Sequence, residues 1–308
     1  MDRENIIKAG LKLGINTAGE LLDPRFDYCF KRIFTASEEQ SKIALIDFLN
    51  SILFDGENKI KDLTVVNNEI PVETYQQKKA RFDIRVIFEN GEQALVEMEL
   101  NAKGNFFKRS LHNISRMYSS QEISGSSFNS LKKCYMVAVM GYNLFGKDFG
   151  YINSFTFKDK KGREYKELSD MQITYIELEK TAEFLDKPLE ELTNAECWGI
   201  FLRYASFDDK REVLEKIAKR NRGINMAVNV LNYISKDTLE RMKYEDEILA
   251  EIDHQEEINY ARTEEQQKAH LEKLESAKEM LIDGEPISKI IKYFKLTNEE
   301  IEQIQKEI

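Results

Sequence analysis

The sequence predicts an α/β fold followed by an all-α C-terminal extension, and three observations carry that expectation. Two alternating apolar segments flank Asn90-Gly91 between residues 81 and 100, the signature of a β-hairpin. Further strand-like runs at Cys134–Met140, 151–157 and 172–178 come after an amphipathic helical stretch at 105–122. From about Pro188 onward only helical patterns recur, so the chain divides into a sheet-bearing domain, 1–185, and a helical region, 186–308.

In chain order, Asp23-Pro24 reads as a helix start, an Asp cap followed by Pro at the first helical position, leading into an apolar stripe of Phe26, Phe30, Ile33 and Phe34. Asp27 and Lys31 lie one turn apart beside that stripe. Asp27 is either a first-turn acid favoured by the helix dipole or part of a site. Ile43, Ile46, Leu49 and Leu53 mark a second amphipathic helix that ends at Asp55-Gly56, and residues 63–72 alternate weakly as a strand.

The hairpin follows. Phe82, Ile84, Val86 and Phe88 alternate with charged residues, as do Ala94, Val96, Met98 and Leu100, so each segment reads as a half-buried strand. A two-residue loop at Asn90-Gly91 would set Phe82 against Glu99 and Ile84 against Glu97, mixing apolar and charged side chains on one face. A three-residue loop, Glu89-Asn90-Gly91 with Gly91 left-handed in a G1 bulge, pairs Phe82 with Met98, Ile84 with Val96 and Val86 with Ala94. That register opposes Asp83 to Glu97, with Cβ atoms ~4.5–5.5 Å apart, where like charges destabilise a sheet. Either a divalent cation bridges them, Mg²⁺ or Mn²⁺ by the all-oxygen donor set, or Arg85 balances a solvated face.

Beyond the hairpin, the helix at 105–122 turns Phe107, Leu111, Ile114 and Tyr118 to one side and carries Lys108, Arg109, His112 and Arg116 on the others. That basic group either lines a phosphate path or is a solvated helix face. A loop at 124–129 leads to the later strands. Helical patterns then run at 189–205, Arg211–Arg220 and 226–234. The charged stretch 237–282 is nearly all polar from 253 to 268, which excludes a sustained heptad and leaves a long exposed helix or a hinge. Gly284 closes it, and 286–293 and 297–306 form two short helices, the second with a Thr297/Glu300 capping box. Glu299, Glu300, Glu302 and Glu307 on that second helix would repel phosphates, so the pair is expected to pack or self-associate, making these C-terminal helices a route to a homo-oligomer.

Composition narrows the function. The 308 residues, 42% hydrophobic, suffice for a large core, and the net charge of −10 argues against a protein that coats DNA with its whole surface but permits a local basic groove. No run of eighteen apolar residues and no signal peptide occur, so a cytoplasmic protein without a membrane span is expected. Cys29, Cys134 and Cys197 are widely spaced without a CxxC pair and read as reduced core thiols. His112, His254 and His270 are too scattered to suggest a zinc site or a Ser-His-Asp triad, and neither GxxxxGK[ST] nor GxGxxG is present.

Asp83 on one strand, Glu97-x-Glu99 on the next and then a basic helix resembles the PD-(D/E)xK nuclease superfamily. With DPRFDYCFKRIF at 23–34, FLNSIL at 48–53, the Asp83…Glu97 hairpin, FFKRSLHNISRMY at 106–118 and Gln121-x-x-x-Gly125, the chain over about residues 20–180 looks like the recombination-promoting nuclease/putative transposase family. The resemblance implies a restriction-endonuclease-like core, a mixed central sheet flanked by helices, and Mg²⁺- or Mn²⁺-dependent hydrolysis of DNA. It implies Asp83 and Glu97 as metal ligands, with Asp27 matching the acid of the first-helix motif and Gln121 a helical glutamine beside the site. One departure stands out: Glu99 occupies the position where the superfamily has Lys and this family commonly Gln. Glu99 then acts as a further ligand or a general base, or the site is impaired and the chain binds DNA or a protein partner without cutting. Lys31, Lys103 or Lys108 are the candidates to replace the missing cation, and Arg109 and Arg116 to join them in binding phosphate.

Overall fold

The computed structural model describes residues 3–36, 39–66, 69–70, 80–81, 83–102, 104–121, 127–165 and 168–308. Phe82, Lys103, the first half of the 124–129 loop and the end of the strand expected at 63–72 lie outside them. The chain forms two compact units, Met1–Ile248 and Leu249–Ile308.

The first unit opens with α1 (Arg3–Leu13), α2 (Asp27–Thr35) and α3 (Glu39–Leu53). Strands β1 (Leu63–Val66), β2 (Glu69–Ile70), β3 (Ala80–Arg81), β4 (Ile84–Phe88) and β5 (Gln93–Glu99) follow, then α4 (Phe106–Ser119). Next come β6 (Cys134–Met140), β7 (Ile152–Phe155), β8 (Met171–Glu177), α5 (Asn194–Tyr204), α6 (Arg211–Arg220) and α7 (Arg222–Lys236). A mixed six-stranded sheet in the order β1-β4-β5-β6-β8-β7 is the centre, with β5, β6 and β8 parallel and the remaining neighbours antiparallel. β2 and β3 pair separately.

The hairpin register is the one the apolar pairing demands: Ile84 opposes Val96 and Val86 opposes Ala94. Phe88 N–H donates to Glu92 O, leaving the three-residue loop 89–91, and Gly91 takes φ +86°, a conformation that a side chain would strain. Burial corrects the expectation of two half-buried strands. β4 alternates buried and half-buried residues, but Gln93, Ala94, Leu95, Val96, Glu97 and Glu99 of β5 are all buried, because β5 is an interior strand with helices over both faces. β6, a continuous apolar run, is buried at every position.

On one face of the sheet, α4 lays Phe106, Ile114 and Met117 against Leu95, Met136, Ala138, Met140 and Tyr175. Elsewhere α2, α3 and α5 meet through Phe34, Phe48 and Trp198, with ring centroids 5.2–5.7 Å apart. α7 comes close to α3 because Gly223 is a glycine: a Cβ there would lie 2.2 Å from Asp47 Cβ. Cys29, Cys134 and Cys197 are buried free thiols, as their spacing suggested.

The helix expected from Asp23-Pro24 begins only at Asp27, after an extended Phe26. Asp23 is not a helix cap because its carboxylate is wholly buried and committed to Arg25, which donates from Nε and Nη2, and to the backbone N–H of Asn16 and Arg25. A buried guanidinium–carboxylate fork outweighs a cap in both strength and geometry.

The charged stretch is one helix, α8 (Thr238–Ile282), whose first turns belong to the first unit. In the second unit, the end of α8 packs with α9 (Ile287–Phe294) and α10 (Asn298–Glu307) around Ala277, Ile290, Leu296, Ile301 and Ile304. Thr297 and Glu300 make the reciprocal capping box. Among the described residues no helix is long and apolar enough to cross a membrane.

Candidate active site

α2 displays two i,i+4 pairs on neighbouring faces; one grips the Glu240 carboxylate and the other sets Lys31 between Asp27 and Asp83. Tyr28 donates from Oη to Glu240 Oε2 over 2.5 Å and Arg32 from Nε over 2.8 Å, tying α2 to the first turn of α8. One residue back on each turn, Lys31 donates from Nζ to Asp27 Oδ2 over 2.5 Å and lies 3.4 Å from Asp83 Oδ1. Asp83 itself sits in the bend before β4, where continuing the register past Ile84 sets it against Glu97. Its Oδ2 accepts the backbone N–H of Met98 over 2.9 Å.

Burial and the neighbouring Asp27 charge raise the Asp83 carboxyl to about 6, against the opposing pull of Lys31 and the Met98 N–H. Burial draws the Lys31 ammonium down, and Asp83 and Asp27 together more than reverse that, so it is held charged. Asp27 Oδ1 is buried and has no hydrogen-bond partner among the described residues.

Glu97 and Glu99 turn toward α4. Asn113 donates from Nδ2 to Glu97 Oε1 over 2.8 Å, and Arg109 donates from Nη2 to Glu99 Oε2. α4 therefore runs antiparallel to β5, and the two spacings match: four helical residues rise about 6 Å, two strand residues about 6.6 Å. The same step carries Leu95 to Met117 in the core below. Arg109 also lies over the Phe106 ring, 4.9 Å from its centroid, which fixes the guanidinium from behind.

The structure thus brings Asp27, Lys31 and Asp83 together, and Glu97 and Glu99 onto the adjoining strand with Asn113 and Arg109. It does not bring Gln121 there. Gln121 donates to Lys132 O and Cys134 Sγ and accepts from Lys132 N–H, stapling the end of α4 to the start of β6. Cys134 pairs with Gln93, four residues before Glu97, so this staple lies about 13 Å along the sheet from the carboxylates. Lys108 is exposed on α4 and Arg116 half-buried two turns after Arg109, while Lys103 lies outside the described residues. Asn113 is the residue that sequence reasoning missed. Its signal was the four-residue step from Arg109, matched to the two-residue step of Glu97-x-Glu99.

Among the described residues no group of three His, Cys, Asp or Glu side chains converges to hold a metal ion. The donor set nevertheless fits a hard divalent cation, which takes one or two carboxylates and leaves its other positions to water and phosphate. Asp83, in the bend before β4, and Glu97, on β5, are oxygen donors, and Asp27 Oδ1 is an acceptor without a donor among the described residues.

A mixed sheet with its acids gathered where an antiparallel hairpin ends, and a helix crossing from that hairpin to the next parallel strand, defines a restriction-endonuclease-like fold. The chain belongs to the PD-(D/E)XK nuclease family transposases, whose family model matches residues 24–261. Neither a curated protein nor a solved structure matches it.

Proposed function

We propose that the chain is a cytoplasmic, metal-dependent DNA endonuclease related to recombination-promoting nucleases. The observation that carries this reading is the gathering of Asp27 and Asp83 about Lys31 beside the buried Glu97, acids close enough to repel one another whose repulsion a bound cation would relieve. Asp83 and Glu97 would hold Mg²⁺ or Mn²⁺, with Asp27 next to them. When bound, the ion supplies an activated water and neutralises charge at phosphorus.

The chain's own residues do the rest. Asn113 orients the Glu97 carboxylate, and Lys31 keeps Asp27 and Asp83 from repelling each other. The Glu99–Arg109 pair recasts the departure from the family pattern, because Arg109 brings a guanidinium to the position where the superfamily carries a Lys. In this reading Glu99 anchors that cation and is neither ligand nor base. A member of the same fold that binds DNA or protein without cutting is the second reading, favoured by the ammonium of Lys31 already compensating Asp83.

The test is conversion of supercoiled plasmid by purified wild type, Asp83→Asn and Glu97→Ala, each with Mg²⁺, Mn²⁺ or chelator. Metal-dependent nicking by wild type alone is expected. Equal nicking by all three proteins would sink the endonuclease reading.

The second unit is proposed to self-associate. Its core covers part of the apolar surface, yet Leu271, Ile287 and Tyr293 remain exposed. Light scattering of the full chain and of a Leu271→Asp/Ile287→Asp variant, giving one monomeric mass for both, would refute it.

A further inference from the structure

Two strands from Glu97, on the same side of the sheet, lies a row of aromatic rings that the chemistry of the carboxylates does not use. The register places Glu97, Ala138 and Tyr175 in one row, so Tyr175 stands about 10 Å from Glu97 across β6. Phe107 of α4 packs on Tyr175 and on Phe145, with centroids 5.7 Å away in both cases. Phe145 in turn stacks with Phe149 at 5.0 Å and with Phe155 at 5.5 Å, both at 28° between planes. Phe107, Phe149, Phe155 and the nearby Phe157 are each between 44% and 55% exposed, so the row presents ring surface to solvent.

The row is held by a buried charge. Glu177, fully buried at the end of β8, accepts the backbone N–H groups of Leu144 and Phe145 and pairs with Lys180. Lys180 also donates to the carbonyls of Phe149 (2.8 Å) and Gly150 (3.3 Å). One ion pair therefore pins both ends of the loop that carries Phe145 and Phe149. Burying a carboxylate is costly, and here it goes to fixing the position of partly exposed rings.

The electrostatics around the rings are opposite to those of the whole chain. Residues 155–164 hold Lys158, Lys160, Lys161 and Arg163 against Asp159, which pairs with Arg163, and Glu164, a net positive stretch in a protein of net charge −10, and Lys108 is exposed beside Phe107. Rings interleaved with lysines suit a ligand that is flat and aromatic at intervals and anionic between them.

We propose that this row is a stacking platform for the unpaired bases of single-stranded DNA, with the lysines of 158–161 and Lys108 following its phosphates. Base–aromatic stacking needs a free base face, which a duplex interior does not offer, and it tolerates any sequence. An apolar protein partner would instead gain nothing from the lysines. The platform rests on the nuclease reading only for what then happens to the strand: it would feed a single-stranded segment, such as a flap, gap or frayed end, toward the row of Glu97.

Fluorescence anisotropy in chelator, where no cutting occurs, tests the platform apart from the chemistry. The probes are a short labelled single strand, the same length of abasic strand, which keeps the phosphates and removes the bases, and a blunt duplex. Wild type is expected to bind the intact strand at least about fivefold more tightly than the abasic one, the lower end for one stacked base. The Phe155→Ala/Phe157→Ala variant should lose that preference, and Phe155→Tyr, which keeps a ring, should retain it. Glu97→Ala should keep it too, even if it cuts nothing, so failure to cleave plasmid leaves the platform standing. Equal affinity of wild type for intact and abasic strands would overturn the proposal whether or not the protein cuts DNA. So would a folded Phe155→Ala/Phe157→Ala chain whose sedimentation mass changes while its preference for bases does not, the mark of a protein-docking patch.

Discussion

Asn113 meets Glu97 across 2.8 Å, side-chain amide to carboxylate, in a place where neither has much access to water. An acid buried on an interior strand keeps its charge and direction only through such donors. Replacing Asn113 with Ala removes one of them, and the expected outcome is a loss of about 1–3 kcal/mol of stability and, if Glu97 holds a metal as proposed, of roughly 10–100-fold in plasmid cleavage, the scale for groups that orient a metal ligand. Urea denaturation and a nicking assay check the two together. An Asn113→Ala protein with wild-type cleavage would show that Glu97 needs no such support.

The Glu99–Arg109 pair should behave as a unit. Arg109→Ala leaves Glu99 buried without this partner, and a loss of about 3 kcal/mol is expected. The double change Glu99→Gln/Arg109→Gln should cost less than Arg109→Ala alone, because no charge is then left uncompensated. If Arg109 serves as the site's cation, Arg109→Ala also slows cleavage about 10²-fold. Unchanged cleavage in that variant would return Glu99 and Arg109 to a purely structural role.

Glu240 gives the fold a pH dependence. Burial pushes its carboxyl upward, but Tyr28, Lys243 and Arg32 together win, so its pKa is lowered from the ordinary 4.5. The ionised form is favoured by folding, so the stabilisation is present above 4.5 and lost as pH falls through the folded value. Glu240→Gln should destabilise the protein by about 2 kcal/mol at neutral pH, with the gap to wild type closing as pH falls below 4.5 and through the lowered folded value. Thermal melts of both proteins across that range decide it; a gap independent of pH would contradict the ionic account.

At the hairpin, Gly91→Ala must adopt a positive φ, and a cost of about 1–2 kcal/mol follows from the left-handed backbone. Gly91→Asn should cost less, since Asn tolerates that region. Equal melting temperatures for Gly91→Ala and wild type would mean that the loop rearranges.

The parts legible in the sequence were those set by local periodicity. The hairpin register followed from keeping Ile84, Val86, Ala94 and Val96 on one face, β6 from its unbroken apolar run, and the cap of α10 from Thr297 and Glu300. Long-range pairing was not legible. Asp23 looked like a cap because nothing nearby reveals that Arg25 folds back onto it, and the charged alternation of β5 left a cation-bridged and a solvated face both open because α4, ten residues on, supplies the partners. Gln121 fitted a motif, yet its amide is spent on a backbone strand end far from the acids.

The tie between α2 and Glu240 also bears on how the protein is made. Tyr28 reaches a partner 212 positions later in the chain, and Leu22 N–H one 213 positions later, Ser235. At ordinary elongation speeds the ribosome needs roughly 10–40 s to span that distance. Throughout that interval the helix bearing Asp27 and Lys31 has been translated but lacks the residues that lock its outer face. A nascent chain of this kind holds α2 without its Glu240 anchor until nearly the whole first unit has emerged, so these contacts are among the last of that unit to form.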